Sequence, residues 1–174
     1  WSWSRGLGDV YKRQVYGHNQ MEKETKEALI ENIQYRNKLA QIRGDSLSLS
    51  DAKETDLWIE GWFSVLFGKY KEAKEKLAVL KNLKEKKKDP SALFGYNGLM
   101  GMVSLGEGEA NKALNFLNLA NPNDIYIMYQ KALAFRAVGN REEAEKILSN
   151  IANLNFSSWE VAILKNQAKT ALLR

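Results

Sequence analysis

The chain has no cysteine, one histidine and two prolines in 174 residues. Without cysteine it can form no disulfide, no thiolate metal site and no cysteine nucleophile. A single histidine, His18, cannot build a multi-histidine metal site, so the usual nucleophile–histidine and metal-centre designs lack parts. Glycines at Gly106 and Gly108 follow no strand and bring no phosphate-loop lysine, which removes the common nucleotide cradle. Charged or polar residues break every apolar run before the ~18–20 residues a membrane helix needs. The carboxylates Glu142, Glu143 and Glu145 fall at the spacing of a wet helix face. These absences point away from an enzyme, with no catalytic residue, cofactor or metal expected, and away from a membrane span.

What the sequence does contain is a recurring phrase. Gly61, Gly68 and Ala73 are a small residue, a glycine seven positions on, and an alanine five further. The phrase returns as Gly101, Gly108 and Ala113, and again as Ala132, Gly139 and Ala144. Apolar residues between these markers follow helical spacing, so each phrase reads as a helix, a glycine turn and a second helix whose alanine permits close packing. The fold class expected is all-α, built of antiparallel helical hairpins.

Taken in order, Met21 to about Ile42 reads as a helix with Ala28, Leu29, Ile33, Tyr35, Leu39 and Ile42 as its apolar stripe, ended by Gly44 in the left-handed conformation. Residues 46–50, where serine alternates with Leu47 and Leu49, read as a connector completing an N-terminal segment over 15–50, with Ser50 or Asp51 capping the next helix. Three hairpins then occupy 51–156. The first runs from about Lys53 to Lys86, and its apolar first helix (Leu57, Trp58, Trp62, Val65, Leu66) should be covered on more than one side. Asp89-Pro90 stops its second helix. The second hairpin, about Ala92 to Ala120, has the weakest helix propensity because of its glycines. Asn121-Pro122-Asn123-Asp124 closes it and caps the third, Ile125 to Leu154. A last helix from Ser157 or Ser158 to Leu173, within 157–174, serves as a cap or as half of a further repeat.

The phrase, with an aromatic in the first helix and proline or asparagine between units, resembles the tetratricopeptide repeat over about Lys53 to Leu154. Turn spacings of 40 and 31 residues bracket that family's ~34, and Ser64, Ser104 and Phe156 replace residues common in it. The resemblance implies a right-handed solenoid, in bacteria, that binds a protein partner's peptide or helix in a concave groove lined by first helices. Mapped residue by residue, the groove would use Trp58, Trp62, Val65, Met102, Leu105, Tyr126, Tyr129, Leu133 and Arg136. Trp62, Met102 and Leu133 stand where one subgroup places asparagines for a carboxylate, so that clamp is not expected.

Ser4 to Gln14 resembles a translated transposon-end adapter from a sequencing library, and residues 1–14 are expected to be non-native, without a partner helix and with few contacts. Setting them aside lowers the net charge from +5 to +3, and places the natural start upstream of about Val15, so compartment stays open. Lys84, Lys86, Lys87 and Lys88 read as a solvated helix end that complements the helix dipole, rather than a nucleic-acid or membrane contact. Two further functions stay on the table. One is a scaffolding or sensing segment of a larger enzyme or transcriptional regulator. The other is nucleic-acid binding through the Lys84–Lys88 end.

Overall fold

The computed structural model describes residues 12–155 and 158–173. Phe156, Ser157 and residues 1–11 of the adapter-like segment lie outside the described residues. Among the described residues the chain is all-helical: α1 over residues 12–18, α2 Glu22–Arg43, α3 Ser46–Leu66, α4 Tyr70–Lys84, a 3-10 turn Pro90–Leu93, α5 Phe94–Gly106, α6 Ala110–Asn118, α7 Ile125–Ala137, α8 Arg141–Ala152 and α9 Trp159–Leu172. It divides into two compact units, Trp1–Lys87 and Lys88–Arg174.

The glycine turns share one hydrogen-bond pattern. At the α3–α4 corner the Lys69 amide donates to the Ser64 carbonyl at 2.8 Å and the Gly68 amide to Val65 at 3.1 Å. The α5–α6 corner repeats this with Glu109 to Ser104 (2.8 Å) and Gly108 to Leu105 (3.1 Å), and the α7–α8 corner with Asn140 to Phe135 (2.9 Å) and Gly139 to Arg136 (3.0 Å). These are Schellman ends, in which two orphan carbonyls of a helix are satisfied by amides beyond it. The geometry demands positive φ, and the three glycines sit at +70°, +81° and +83°.

A fourth copy joins α1 to α2. Met21 donates to Tyr16 at 2.9 Å and Gln20 to Gly17 at 3.0 Å, with Gln20 itself at φ +58°. The register continues on both sides of the turn. Five residues past each turn residue stand Ala73, Ala113, Ala144 and Thr25, all fully buried, and nine past stand Leu77, Leu117, Leu148 and Leu29, also buried. Seven before stand Gly61, Gly101, Ala132 and Arg13, buried as well. The expectation that residues 1–14 make few contacts is therefore corrected for their described part: Arg13 is 5% exposed and lies over the Trp62 ring.

Two expectations about the N-terminal region also change. Residues 46–50 are not a connector but the first turn of α3, because Asp45 accepts the Ser48 amide at 2.7 Å and caps the helix earlier than Ser50 or Asp51 would. The inward stripe of α2 is Thr25, Ala28, Leu29, Asn32 and Ala40, while Leu39 and Ile42 face solvent, Ile42 at 72% exposure. Gly44 does take the left-handed conformation, φ +70°, and its amide donates to Ala40.

In the first unit α3 packs on both α2 and α4, and Gly17 of α1 sits against its Trp62 and Leu66. In the second unit each helix from α5 to α9 packs on the next, and α7 touches both α5 and α9. α7 is apolar nearly all round because it serves two cores. Ile127 and Ala134 join Ala113, Leu117 and Ala120, whereas Ala132 joins Leu148, Ile151, Leu164 and Ala168. Two of the four glycines of α5 are answered by close neighbours: a Cβ on Gly98 would meet Ile127 Cδ1 at 2.7 Å, and one on Gly101 would meet Leu117 Cγ at 2.5 Å. Side-chain caps open α7, α8 and α9, Asp124 on Tyr126, Asn140 on Glu143 and Ser158 on Val161.

Candidate functional site

The residues mapped to a groove divide between the two units, so each unit is described by itself. In the first, Trp62 (6% exposed) and Val65 are buried and Trp58 is half-buried. Trp62 is covered by the Arg13 guanidinium, 5.4 Å from the ring centroid. In the second, Met102, Leu105, Tyr126, Tyr129, Leu133 and Arg136 are all half-buried. Leu105 packs against the Ala113–Leu117 core, and Tyr126 and Tyr129 against the Leu148–Leu164 core. Burial, then the neighbouring Tyr129 and Asp124, raises the Tyr126 phenol well above its ordinary value, so it stays protonated. Arg136 donates from Nη1 to the Ala171 carbonyl at 3.0 Å and so satisfies an orphan carbonyl at the end of α9. Met102 and Leu133 occupy one register, one position past Gly101 and Ala132, on helices that touch each other. Neither is among the partly buried hydrophobics packed on the Ala113–Leu117 core or the Leu148–Leu164 core.

The lysine run holds a feature that composition does not reveal. Lys84 Nζ and Lys87 Nζ each lie 2.7 Å from Glu54 Oε2, and Lys87 also reaches Asp51 at 3.3 Å. Glu54 is 3% exposed. Burial alone would raise its pKa, but the hydrogen bonds and charges of Lys84 and Lys87 outweigh this and hold it below the usual value. Correspondingly the Glu54 carboxylate raises Lys87. The expectation of a solvated helix end is corrected for Lys84 and Lys87, which pin the end of α4 to α3, while Lys86 and Lys88 face solvent. The i, i+3 and i+4 spacings within α3 and α4 give no sign of this pairing, since it joins residues 30 and 33 apart.

A cleft of about 220 Å³ opens between α2 and α3, lined by Arg36, Leu39, Ala40, Arg43, Ser48, Asp51, Ala52 and Thr55. Much of its polarity is already satisfied: Arg36 bonds Asp56 and Asn32, and Thr55 donates to the Asp51 carbonyl. His18 is half-buried, and burial lowers its pKa, which leaves it neutral at pH 7. Among the described residues no group of three or more His, Cys, Asp or Glu could hold a metal ion, and no helix is long and apolar enough to cross a membrane. No protein family, curated protein or solved structure matches the chain.

Proposed function

We propose that the chain is a protein-interaction module: a tetratricopeptide-like array of helical hairpins that receives a peptide or helix of a protein partner along its first-helix row. The observation that carries this reading is the repetition of one turn with one set of bonds, flanked by the same buried alanine and leucine, which is how repeat proteins generate extended binding surfaces. Within Lys88–Arg174 the partner-facing residues in this reading are Met102 and Leu133, with the half-buried Tyr126, Tyr129 and Arg136 on the same helix row. Apolar side chains on a row of neighbouring helices suit an amphipathic partner helix or an extended peptide with apolar anchors. Lys84 and Lys87, engaged with Glu54, leave too few free cations in the lysine run to favour a phosphate backbone as the alternative partner.

The test uses a partner isolated by pull-down with the full chain and then purified. Met102→Glu and Leu133→Glu should each weaken its binding at least tenfold at fixed salt, while Lys86→Ala changes it less than twofold. Circular dichroism checks that the variants keep their helicity. Unchanged binding in both glutamate variants rejects the row as the site, and loss in Lys86→Ala alone transfers the interaction to the lysine run.

A further inference from the structure

The corner between α2 and α3 is an addition to the repeat template. α5 and α7 begin seven residues before Gly101 and Ala132, whereas α3 begins fifteen before Gly61. On the other side, α4, α6 and α8 end 16, 10 and 13 residues past their turn glycines, and α2 ends 23 past Gln20. Each helix of the corner therefore outruns its counterparts by roughly two turns or more. Ala40 and Ala52 are buried where these helices pack. Beyond them every residue from 41 to 47 is exposed. Two large aliphatic side chains stand in that run, Ile42 at 72% exposure and Leu47 at 68%, on either side of Gly44. Leu39, exposed as well, lies one turn behind Ile42 on the same helix face. The acids of the corner are already engaged: Asp45 takes the Ser48 amide and hydroxyl, both at 2.7 Å, and Asp51 takes Lys87. Its exposed cations are not. Lys38 and Lys53 have no ion-pair or hydrogen-bond partner among the described residues, and Arg43 has only the charge of Asp45 nearby.

We propose that the α2–α3 corner docks on an anionic lipid surface, with Ile42 and Leu47 entering the interfacial layer and Lys38, Arg43 and Lys53 lying against acidic headgroups. Clustered exposed aliphatics mark a surface that meets another apolar phase, and unengaged cations beside them are complementary to acidic lipid, each contributing about 1 kcal/mol near such a membrane. A protein partner would need a shaped apolar recess for its anchors, and the corner offers none: the cleft behind it is lined by Arg36, Arg43, Ser48, Asp51 and Thr55 as well as by Leu39 and two alanines. Lipid conforms to a protruding turn without such a recess. The contact is peripheral and needs no spanning helix. The corner lies wholly within Trp1–Lys87 and shares no residue with the row of α5 and α7, so the proposal stands whether or not the function proposed above holds.

The experiment exploits the absence of cysteine. Ile42→Cys and Leu47→Cys each receive one environment-sensitive fluorophore, and Glu75→Cys, at an exposed position of α4, serves as the control. The full chain is mixed with vesicles of phosphatidylcholine and phosphatidylserine, or of phosphatidylcholine alone. It should sediment with the mixed vesicles and bind the neutral ones at least tenfold more weakly, and the labels at 42 and 47 should shift to the blue while the label at 75 does not. Ile42→Ser plus Leu47→Ser, and separately Lys38→Glu plus Arg43→Glu, should each lower partitioning at least tenfold with helicity kept by circular dichroism. Lys86→Ala plus Lys88→Ala should change it less than twofold. Where a variant loses helicity, the position of the blue shift decides. Absence of vesicle binding, binding without a shift at 42 and 47, or binding that survives the serine pair overturns the proposal. The same blue shift with soluble poly-glutamate also overturns it and assigns the corner to an acidic protein partner.

Discussion

At the scale of single residues, the four turns separate two reasons for a small side chain. Gly101 is small because of what it touches, and Gly108 because of its backbone, since a Cβ there meets nothing within 4 Å but φ is +81°. Gly101→Ala is expected to destabilise by ~1–3 kcal/mol through overpacking against Leu117, and Gly108→Ala by about 1 kcal/mol through strain. Urea unfolding of both variants checks this, and the reverse order of effects would show that the α5–α6 crossing is looser than the 2.5 Å approach implies. Ala144 lies in the same class as Gly101, fully buried between hairpin helices. Ala144→Trp should therefore cost more than about 3 kcal/mol, while Glu142→Ala, on the exposed face of α8, should change stability by less than about 0.5 kcal/mol. Glu54 provides a pH handle. Its folded pKa lies below the ordinary 4.5, so its contribution is complete above about pH 4.5 and is lost as the pH falls through the folded value. Lys87 is raised above 10.5, so its share is complete below that pH and is lost as the pH rises through the folded value. Glu54→Gln should remove on the order of 2 kcal/mol near neutral pH and flatten the acid limb of the stability profile. A variant whose acid limb matches the parent's would assign that limb to other carboxylates.

At the scale of elements, the sequence exposes what repetition and glycine can mark. Three turns are legible because Gly68, Gly108 and Gly139 are the residues that positive φ favours, and their partners Ala73, Ala113 and Ala144 keep a fixed distance. The fourth turn is not legible, since Gln20 and Thr25 replace the glycine and alanine and only the hydrogen bonds reveal the kinship. The start of α3 escapes a reading of the residues because the alternation of Ser46 to Ser50 mimics an extended segment, whereas a single Asp45 cap is enough to open a helix there. Periodicity gives the stripe of α2 but not its final turn, where Leu39 and Ile42 drift to the exposed side. For the candidate site the limit is physical. An apolar side chain on a first helix looks the same in sequence whether it awaits a partner or covers its neighbour, and Trp62, Val65, Tyr126 and Tyr129 are spent largely on the latter. The element most open to test is α4, whose end is tied to α3 by Lys84 and Lys87. Lys84→Ala plus Lys87→Ala should raise amide exchange over residues 81–87 at least tenfold without altering exchange at Leu77, and equal exchange in parent and variant would make the ion cluster ornamental.

At the scale of the whole chain, each of the two units has its own set of buried alanines and leucines. Overpacking one core should therefore leave the other's protection intact. Hydrogen exchange on Ala144→Trp is expected to accelerate across α5 to α9, where the two cores share α7, while α2 to α4 keep the parent's rates. Matched acceleration in α2 to α4 would mean that the chain opens as one cooperative body.

The Schellman corners have a further consequence for how the chain is made. Each closes over six residues, and among the described residues of each unit helices touch only those one or two places away in sequence. Such local wiring folds quickly, in microseconds to milliseconds for helical chains, whereas a ribosome adds about 5–20 residues per second. A hairpin of some 40 residues therefore takes seconds to emerge and far less than that to close. The polypeptide can thus settle hairpin by hairpin as it leaves the exit tunnel, and within Lys88–Arg174 each finished pair offers the next its packing surface. Vectorial synthesis then follows the order of contacts, and no apolar helix has to wait for a partner encoded far downstream.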